Sequence, residues 1–362
     1  MNVLFVINAR FSFSSQIAQL ALTKGLKSKG VNITVMGKFA PEVIDYFKKN
    51  NISYIEMFPL KKIDYNFINK FGTYVANNNV EIVHFVSGNF SRSGLIALKK
   101  LPNVKVVTYF GSISLHWYDP SSYLTYLHPR VNKIIGNSDY VYEHVKKQLF
   151  FTNKKKAARI FKGYNPDWFS NVVPFDYSKL GISKNSIVVC SVSNHRKIKG
   201  TRYFLEATNY LDTQKEVHFI LIGSNTEDDS LKKYINSSKI SKNIHVLGKR
   251  DDVPSLLAGA DIYVQTSLSE GFGRAISEAM SVGKPIVMTN AGGCTELIDK
   301  NSGIIVPLKN AKKVGEAISK LTNDDSLRIK MGHNAKERIS TVYHIDKTTE
   351  DTYKLYNDLM NE

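Results

Sequence analysis

Cysteine is scarce. Only Cys190 and Cys294 occur in 362 residues, and neither sits in a metal-ligand cluster, which excludes a disulfide framework or a zinc motif and makes a reducing cytoplasm the default setting. No run of eighteen apolar residues occurs, which excludes a membrane-spanning helix. The start Met1–Ile7 is apolar but lacks a basic flank and runs on into Asn8-Ala9-Arg10, so a first strand is expected here and not a signal peptide. Asn8–Ser15, which follows, has no glycine and is therefore no dinucleotide fingerprint. An Asp-x-Asp signature is absent throughout, so no metal and no other cofactor is expected. Acidic residues are short in one half only. Residues 1–170 carry 23 Lys and Arg against 9 Asp and Glu, whereas residues 171–362 carry 26 against 23. An excess of +14 in one half points to an anionic partner: a phospholipid surface, a diphosphate-linked lipid or nucleic acid. A solvated lysine-rich surface is the plain alternative.

What is present is the composition of a soluble globular protein, 43% hydrophobic and 22% charged, at a length that implies two domains. Short apolar segments alternate with helical ones: Val3–Ile7, Val31–Val35, Ile52–Ile55, Glu81–Val86, Val104–Thr108 and a strand opening at Lys133. A second series runs through Ile187–Ser193, Val217–Gly223, Ile244–Gly248, Ile262–Gln265, Ile286–Thr289 and Gly303–Val306. Repeated alternation of this kind builds parallel, doubly wound sheets, whose ligands sit outside the carboxyl ends of the strands. Gly163–Pro166 and the aperiodic stretch 167–185 mark the boundary between the two series.

One stretch concentrates chemistry. After the strand ending near Thr266 comes Ser269-Glu270-Gly271-Phe272-Gly273-Arg274, then a helical pattern stopped by Gly283 and Pro285. A glycine turn opening a helix offers backbone N–H groups and a positive end to an anion. Two carboxylates bracket it. Glu270 precedes the turn, and Glu278, seven steps of roughly 100° past Gly271, returns to nearly the same face. Carboxylates beside a phosphate site suit ribose and sugar hydroxyls, since each accepts two hydrogen bonds. Upstream, Ser193-Asn194-His195-Arg196-Lys197-Ile198-Lys199-Gly200 places four positive or protonatable groups before a helix, a costly cluster without an anion to meet it.

The segment Glu270-Gly-Phe-Gly-Arg-Ala-Ile-Ser-Glu278, with Gly283-Lys-Pro-Ile-Val287, Asn290–Ile298 and Ser302–Pro307, resembles the E-x7-E region of retaining GT-B glycosyltransferases, glycosyltransferase family 4. The likeness is close from about Ile187 to Leu308 and weak before that. It implies an α/β, GT-B architecture of two Rossmann-like domains facing a central cleft. Residues 1–165 would form the acceptor-binding domain and 170–343 the nucleotide-sugar-binding domain, with 344–362 a helix crossing back to the first. It also implies sugar transfer from a nucleotide-sugar donor to a glycan or lipid-linked acceptor, in capsule or lipopolysaccharide assembly at the inner face of a bacterial membrane, without nucleic acid. Lys199 matches the family's lysine and Asn194 stands where its arginine does, so Arg196 is the substitute cation. Lys199, Arg196 and Glu270 are thus the catalytic candidates. Asn194, Lys249, Arg250, Gly271, Phe272, Gly273, Arg274 and Glu278 are the donor-binding ones. Phe110 occupies the place of the family's histidine, which leaves His84 or His116 as replacements. Arg10, Ser12, His84, Gly111, Ser112 and His116, at strand ends of the first half, are the acceptor-side candidates. Lys146-Lys147 and Lys154–Lys156 flank Leu149-Phe150-Phe151, a basic and apolar patch suited to peripheral membrane contact. A nucleotide-sugar epimerase or phosphorylase of the same architecture, and a non-catalytic membrane- or nucleic-acid-binding protein, are the competing readings.

Overall fold

The computed structural model describes residues 1–10, 13–149 and 154–362. These divide into two units, Met1–Gly163 with Ile345–Glu362, and Tyr164–His344. Ser12, Phe150 and Phe151 lie outside the described residues.

The first unit runs β1 (Asn2–Ala9), α1 (Phe13–Ser28), β2 (Asn32–Phe39), α2 (Pro41–Lys49), β3 (Ser53–Glu56), α3 (Tyr65–Asn77), β4 (Ile82–Phe85), α4 (Gly88–Ala97), β5 (Lys105–Phe110), β6 (Lys133–Gly136), α5 (Asp139–Gln148) and β7 (Ala157–Arg159). The strands form one parallel sheet, ordered β3-β2-β1-β4-β5-β6-β7. β7 is three residues of Ala-Ala-Arg at the sheet edge, half-exposed, and carries none of the apolar pattern that announces a strand. Phe67 and Phe71 of α3, with Phe90 and Leu95 of α4, pack on Leu4, Val6, Val83 and Phe85 to make the core under one face. Asp64 and Ser138 accept hydrogen bonds from the backbone N–H groups of Phe67 and Val141 at the starts of α3 and α5, caps worth about 1 kcal/mol each.

The second unit runs β8 (Ile187–Val192), α6 (Thr201–Glu206), β9 (Val217–Ile222), α7 (Asp229–Asn236), β10 (Ile244–Val246), α8 (Val253–Gly259), β11 (Ile262–Gln265), α9 (Arg274–Ser281), β12 (Ile286–Thr289), β13 (Gly303–Val306), α10 (Ala311–Asn323) and α11 (Asp325–Thr341). Its parallel sheet is ordered β10-β9-β8-β11-β12-β13. β9, β11 and β12 are buried along their whole length, as strands covered on both faces must be, and they read as unbroken apolar runs for that reason. The helix expected over Tyr203–Leu211 ends sooner, at Glu206, and continues as a tight turn over Ala207–Tyr210.

The last helix, α12 (Ile345–Asn361), belongs to the first unit and packs on α1. It buries Tyr356, whose hydroxyl lies 2.6 Å from Nδ1 of His84. Both sheets reverse strand order once, between β1 and β4 and between β8 and β11. Those two switch points are where ligands of doubly wound sheets bind. Among the described residues, no helix is long and apolar enough to cross a membrane.

Candidate active site

The switch point of the second unit is built by two loops that hold each other. After β8, the amide of Ser193 donates to the Ile222 carbonyl (2.7 Å) and that of His195 to Ser224 (2.9 Å), while Asn194 Oδ1 accepts from the Ser224 amide (3.1 Å). Asn194 therefore fixes the loop to the end of β9. The chain then makes a tight turn, Lys197–Lys199, closed by Gly200 at φ +60°. A Cβ on Gly200 would lie 2.1 Å from the Thr266 carbonyl oxygen, so only glycine fits. Thr266 Oγ1 donates to the Gly200 carbonyl (3.0 Å) and the Leu268 amide to that of Ile198 (2.8 Å). Lys199 is thereby carried from the β8 side to the end of β11.

There its Nζ meets Glu270 Oε2 at 2.5 Å, with side chains 20% and 17% exposed. At an effective dielectric near 20 such a pair attracts by about 4 kcal/mol at 4 Å, much of it offset by the loss of water from both groups. A diphosphate, with more charge than one carboxylate, is a stronger partner for the lysine. Glu270 is held from the backbone side by its amide, which donates to the Ala291 carbonyl (2.7 Å). It is held from behind by a buried relay that sequence reading missed. Tyr263 donates to Gln265, Gln265 Nε2 to Ser267 Oγ (2.7 Å), and Ser267 Oγ to Glu270 Oε2 (3.3 Å). The signal was there: polar groups at alternate positions of an otherwise apolar strand share one face. Burial pushes the Tyr263 hydroxyl pKa well above its ordinary value, so it stays a donor. Burial also pushes the thiol of neighbouring Cys294 up to about 12.

α9 starts from Gly273, at φ +91°, with no side chain capping the amides of its first turn. Glu278 is 7% exposed, and Arg274 Nε lies 3.4 Å from its Oε1. Glu270, the glycine turn, Arg274 and Glu278 thus form one continuous carboxylate–amide–carboxylate arc. The ring of Phe272 is buried against Tyr343, so its part in the turn is through its backbone. Arg196 is exposed and forms no ion pair among the described residues. Arg250 is already engaged by Asp252, at 2.8 and 2.6 Å, while Lys249 is exposed beside it. Both follow β10, the edge strand, two places from β8.

The remaining candidates lie in the first unit. Arg10 follows β1 and is exposed, and Gly111 and Ser112 follow β5, with Ser112 Oγ 2.9 Å from Ser114 Oγ. His116 stacks on Tyr118 and meets His144 edge-on. Phe110 is buried edge-on against Tyr126. His84 is corrected. It sits inside β4, opposite Phe5 and Val107, not beyond the strand end. Its ring is 2% exposed, and burial lowers its pKa to about 3, so it is a neutral packed residue bonded to Tyr356.

Residues 173–338 match the family described as glycosyl transferases group 1. The chain is 34% identical over 164 residues to the N,N'-diacetylbacillosaminyl-diphospho-undecaprenol alpha-1,3-N-acetylgalactosaminyltransferase of Campylobacter jejuni, covering 44% of this chain and 42% of that one. It is 30% identical over 186 residues to the UDP-Gal:alpha-D-GlcNAc-diphosphoundecaprenol alpha-1,3-galactosyltransferase of Escherichia coli, covering 50% and 48%. The chain thus spans about half the length of these curated relatives. A crystal structure of a glycosyltransferase from Rickettsia africae shares the fold, with a TM-score of 0.82 at 23% identity over 99% of this chain and 98% of that one. An Anabaena protein crystallised with UDP-glucose does so with a TM-score of 0.80 at 19% identity, over 99% and 100%. Through residues 173–338, in its second unit, the chain thus matches the glycosyl transferases group 1, and its two parallel-sheet Rossmann-like domains share the GT-B fold.

Proposed function

We propose that the chain is a retaining glycosyltransferase that moves a sugar from a nucleoside diphosphate sugar to a glycan or lipid-linked acceptor in bacterial cell-surface polysaccharide or lipopolysaccharide synthesis. The observation that carries this reading is the Lys199–Glu270 pair at the β8/β11 switch point, joined to the open amide end of α9 and the buried Glu278. An acidic, hydroxyl-binding group on each side of a phosphate-binding element matches a donor with a sugar, a diphosphate and a ribose in a row.

In the reaction, the bond between the anomeric carbon and the phosphate oxygen breaks and its electron pair leaves with the nucleoside diphosphate. Lys199, Arg196 and the amides from Gly271 to Gly273 stabilise that growing charge from fixed positions. The acceptor oxygen bonds to the anomeric carbon on the same face, and its proton passes to the departing phosphate oxygen. Glu278 holds ribose hydroxyls and Glu270 a sugar hydroxyl once Lys199 has turned to the phosphate. The donor is a substrate, and no cofactor enters the step. The two relatives named above carry diphospho-undecaprenol in their names, which supports a lipid-linked acceptor here and a peripheral place at the inner face of the membrane. The basic first half supports the same place through attraction to anionic lipid.

A thermal-shift screen of UDP-, GDP-, ADP- and CMP-sugars tests the donor class, since a ligand at a hundred times its dissociation constant adds about 2.7 kcal/mol. The configuration of the product linkage, read by NMR, tests retention. Stabilisation by none of the four classes would defeat the reading.

A further inference from the structure

A second basic hollow lies within the first unit, outside the residues considered so far. It has a volume of about 330 Å3 and is lined by Leu60, Lys61, Lys62, Gly88, Asn89 and Arg92. A loop and a helix make it. The loop leaves β3 and α4 follows β4, so the hollow sits at the carboxyl edge of the sheet. Asp64 shapes the loop, its two carboxylate oxygens accepting from the amides of Leu60 (2.9 Å) and Phe67 (3.1 Å), while its own amide donates to Ser93 Oγ on α4 (3.1 Å). Those backbone bonds hold its carboxyl pKa below the ordinary range, with Lys61 adding to the effect. Asp64 is thus spent on the loop, and Lys61, Lys62 and Arg92 form no ion pair among the described residues. Ser87, at the start of α4, does not cap it; its Oγ accepts from the Asn8 amide (3.0 Å) instead.

Three cations around one hollow, none of them in an ion pair among the described residues, present a positive field to an anion. The same loop also exposes large apolar side chains, Leu60 at 82% and Ile63 at 41%. A free phosphate or a sugar has no use for these. A hydrocarbon attached to a phosphate does.

Resting on the acceptor reading given above, we propose that this hollow seats the diphosphate of a lipid-linked acceptor. Lys61, Lys62 and Arg92 meet the phosphates, and Leu60 and Ile63 lie along the first part of the hydrocarbon chain.

The test uses the full chain and four probes: farnesyl diphosphate, inorganic pyrophosphate, farnesol, and phosphatidylcholine vesicles containing phosphatidylglycerol. The variants are K61Q/K62Q/R92Q, Leu60→Ser, and Arg92→Gln alone should the triple variant melt early. Farnesyl diphosphate binding is expected to weaken about a hundredfold in the triple variant, or about fivefold in Arg92→Gln, as charge-assisted contacts are removed. Leu60→Ser is expected to weaken farnesyl diphosphate but not pyrophosphate. UDP affinity is expected to stay unchanged in every variant. The proposal is overturned if the cation variants bind farnesyl diphosphate like the wild type, if pyrophosphate binds as tightly as farnesyl diphosphate, or if only the vesicles distinguish variant from wild type. Absence of UDP binding in the wild type would instead count against the donor site and leave the fate of the hollow to the farnesyl diphosphate titration.

Discussion

Lys199 and Glu270, 71 residues apart in the chain, hold each other at 2.5 Å across the switch point of the second sheet. Each serves as the other's counterion until a phosphate arrives. Under the proposed function, donor binding does two things at once, drawing off the lysine and freeing the carboxylate for a hydroxyl. Substitutions that misplace either loop are therefore expected to damage phosphate and sugar recognition together.

Gly200 is the first such position. Its φ of +60° and the 2.1 Å approach of the Thr266 carbonyl leave no room for a side chain. Gly200→Ala is expected to cost about 1–3 kcal/mol in urea unfolding and to lower turnover with it. Wild-type stability would mean that the two loops are not locked as described.

The Tyr263–Gln265–Ser267 relay makes a separate prediction. Ser267→Ala removes one hydrogen bond to the Glu270 carboxylate, a charged acceptor, and leaves the lysine in place. Loss of such a bond is worth about 1.5–3 kcal/mol, so kcat is expected to fall roughly tenfold to a hundredfold. UDP, which lacks the sugar, is expected to bind as before. Equal loss of UDP affinity would mean that Ser267 acts on the fold and not on Glu270.

The two arginines outside the arc are expected to differ. Arg250 is already bonded twice by Asp252, whereas Arg196 is exposed without an ion pair among the described residues. Arg196→Ala is expected to lower kcat by roughly tenfold or more, as befits a cation meeting developing charge, and Arg250→Ala by less than about threefold. The reverse order in steady-state kinetics would transfer the role to the Arg250 loop.

Much of this was legible in the chain. The buried strands of the second sheet announce themselves as apolar runs, and the glycine turn between Glu270 and Glu278 marks where a strand hands over to a helix. The edge strand Ala157–Arg159 was not legible, because it pairs through backbone alone and buries little. Nor was the role of His84. A histidine near a strand end reads as a ligand-facing group, while its burial depends on Tyr356, 272 residues away on α12. The basic hollow escaped notice too, because Lys61-Lys62 lie on the loop after β3 and Arg92 on α4, which only the sheet brings together.

His84 also sets a pH dependence. Burial lowers its pKa from 6.5 to about 3, so between those values the unfolded chain binds a proton that the folded one refuses. Its contribution to stability is complete above pH 6.5 and is lost as the pH falls toward 3, by up to about 1.4 kcal/mol per unit. Urea titrations at pH 6.5 and pH 5 are expected to differ by about 2 kcal/mol more in the wild type than in His84→Gln. Identical slopes would show that the histidine is not held neutral.

The most direct test is to remove the lysine. In Lys199→Ala, calorimetric titration with UDP and a transfer assay on the same preparation are expected to show binding weakened by about tenfold or more and turnover reduced by about a hundredfold or more, while the thermal midpoint stays within a few degrees of wild type. Unaltered UDP affinity together with unaltered turnover would contradict the assignment of this residue to the departing diphosphate.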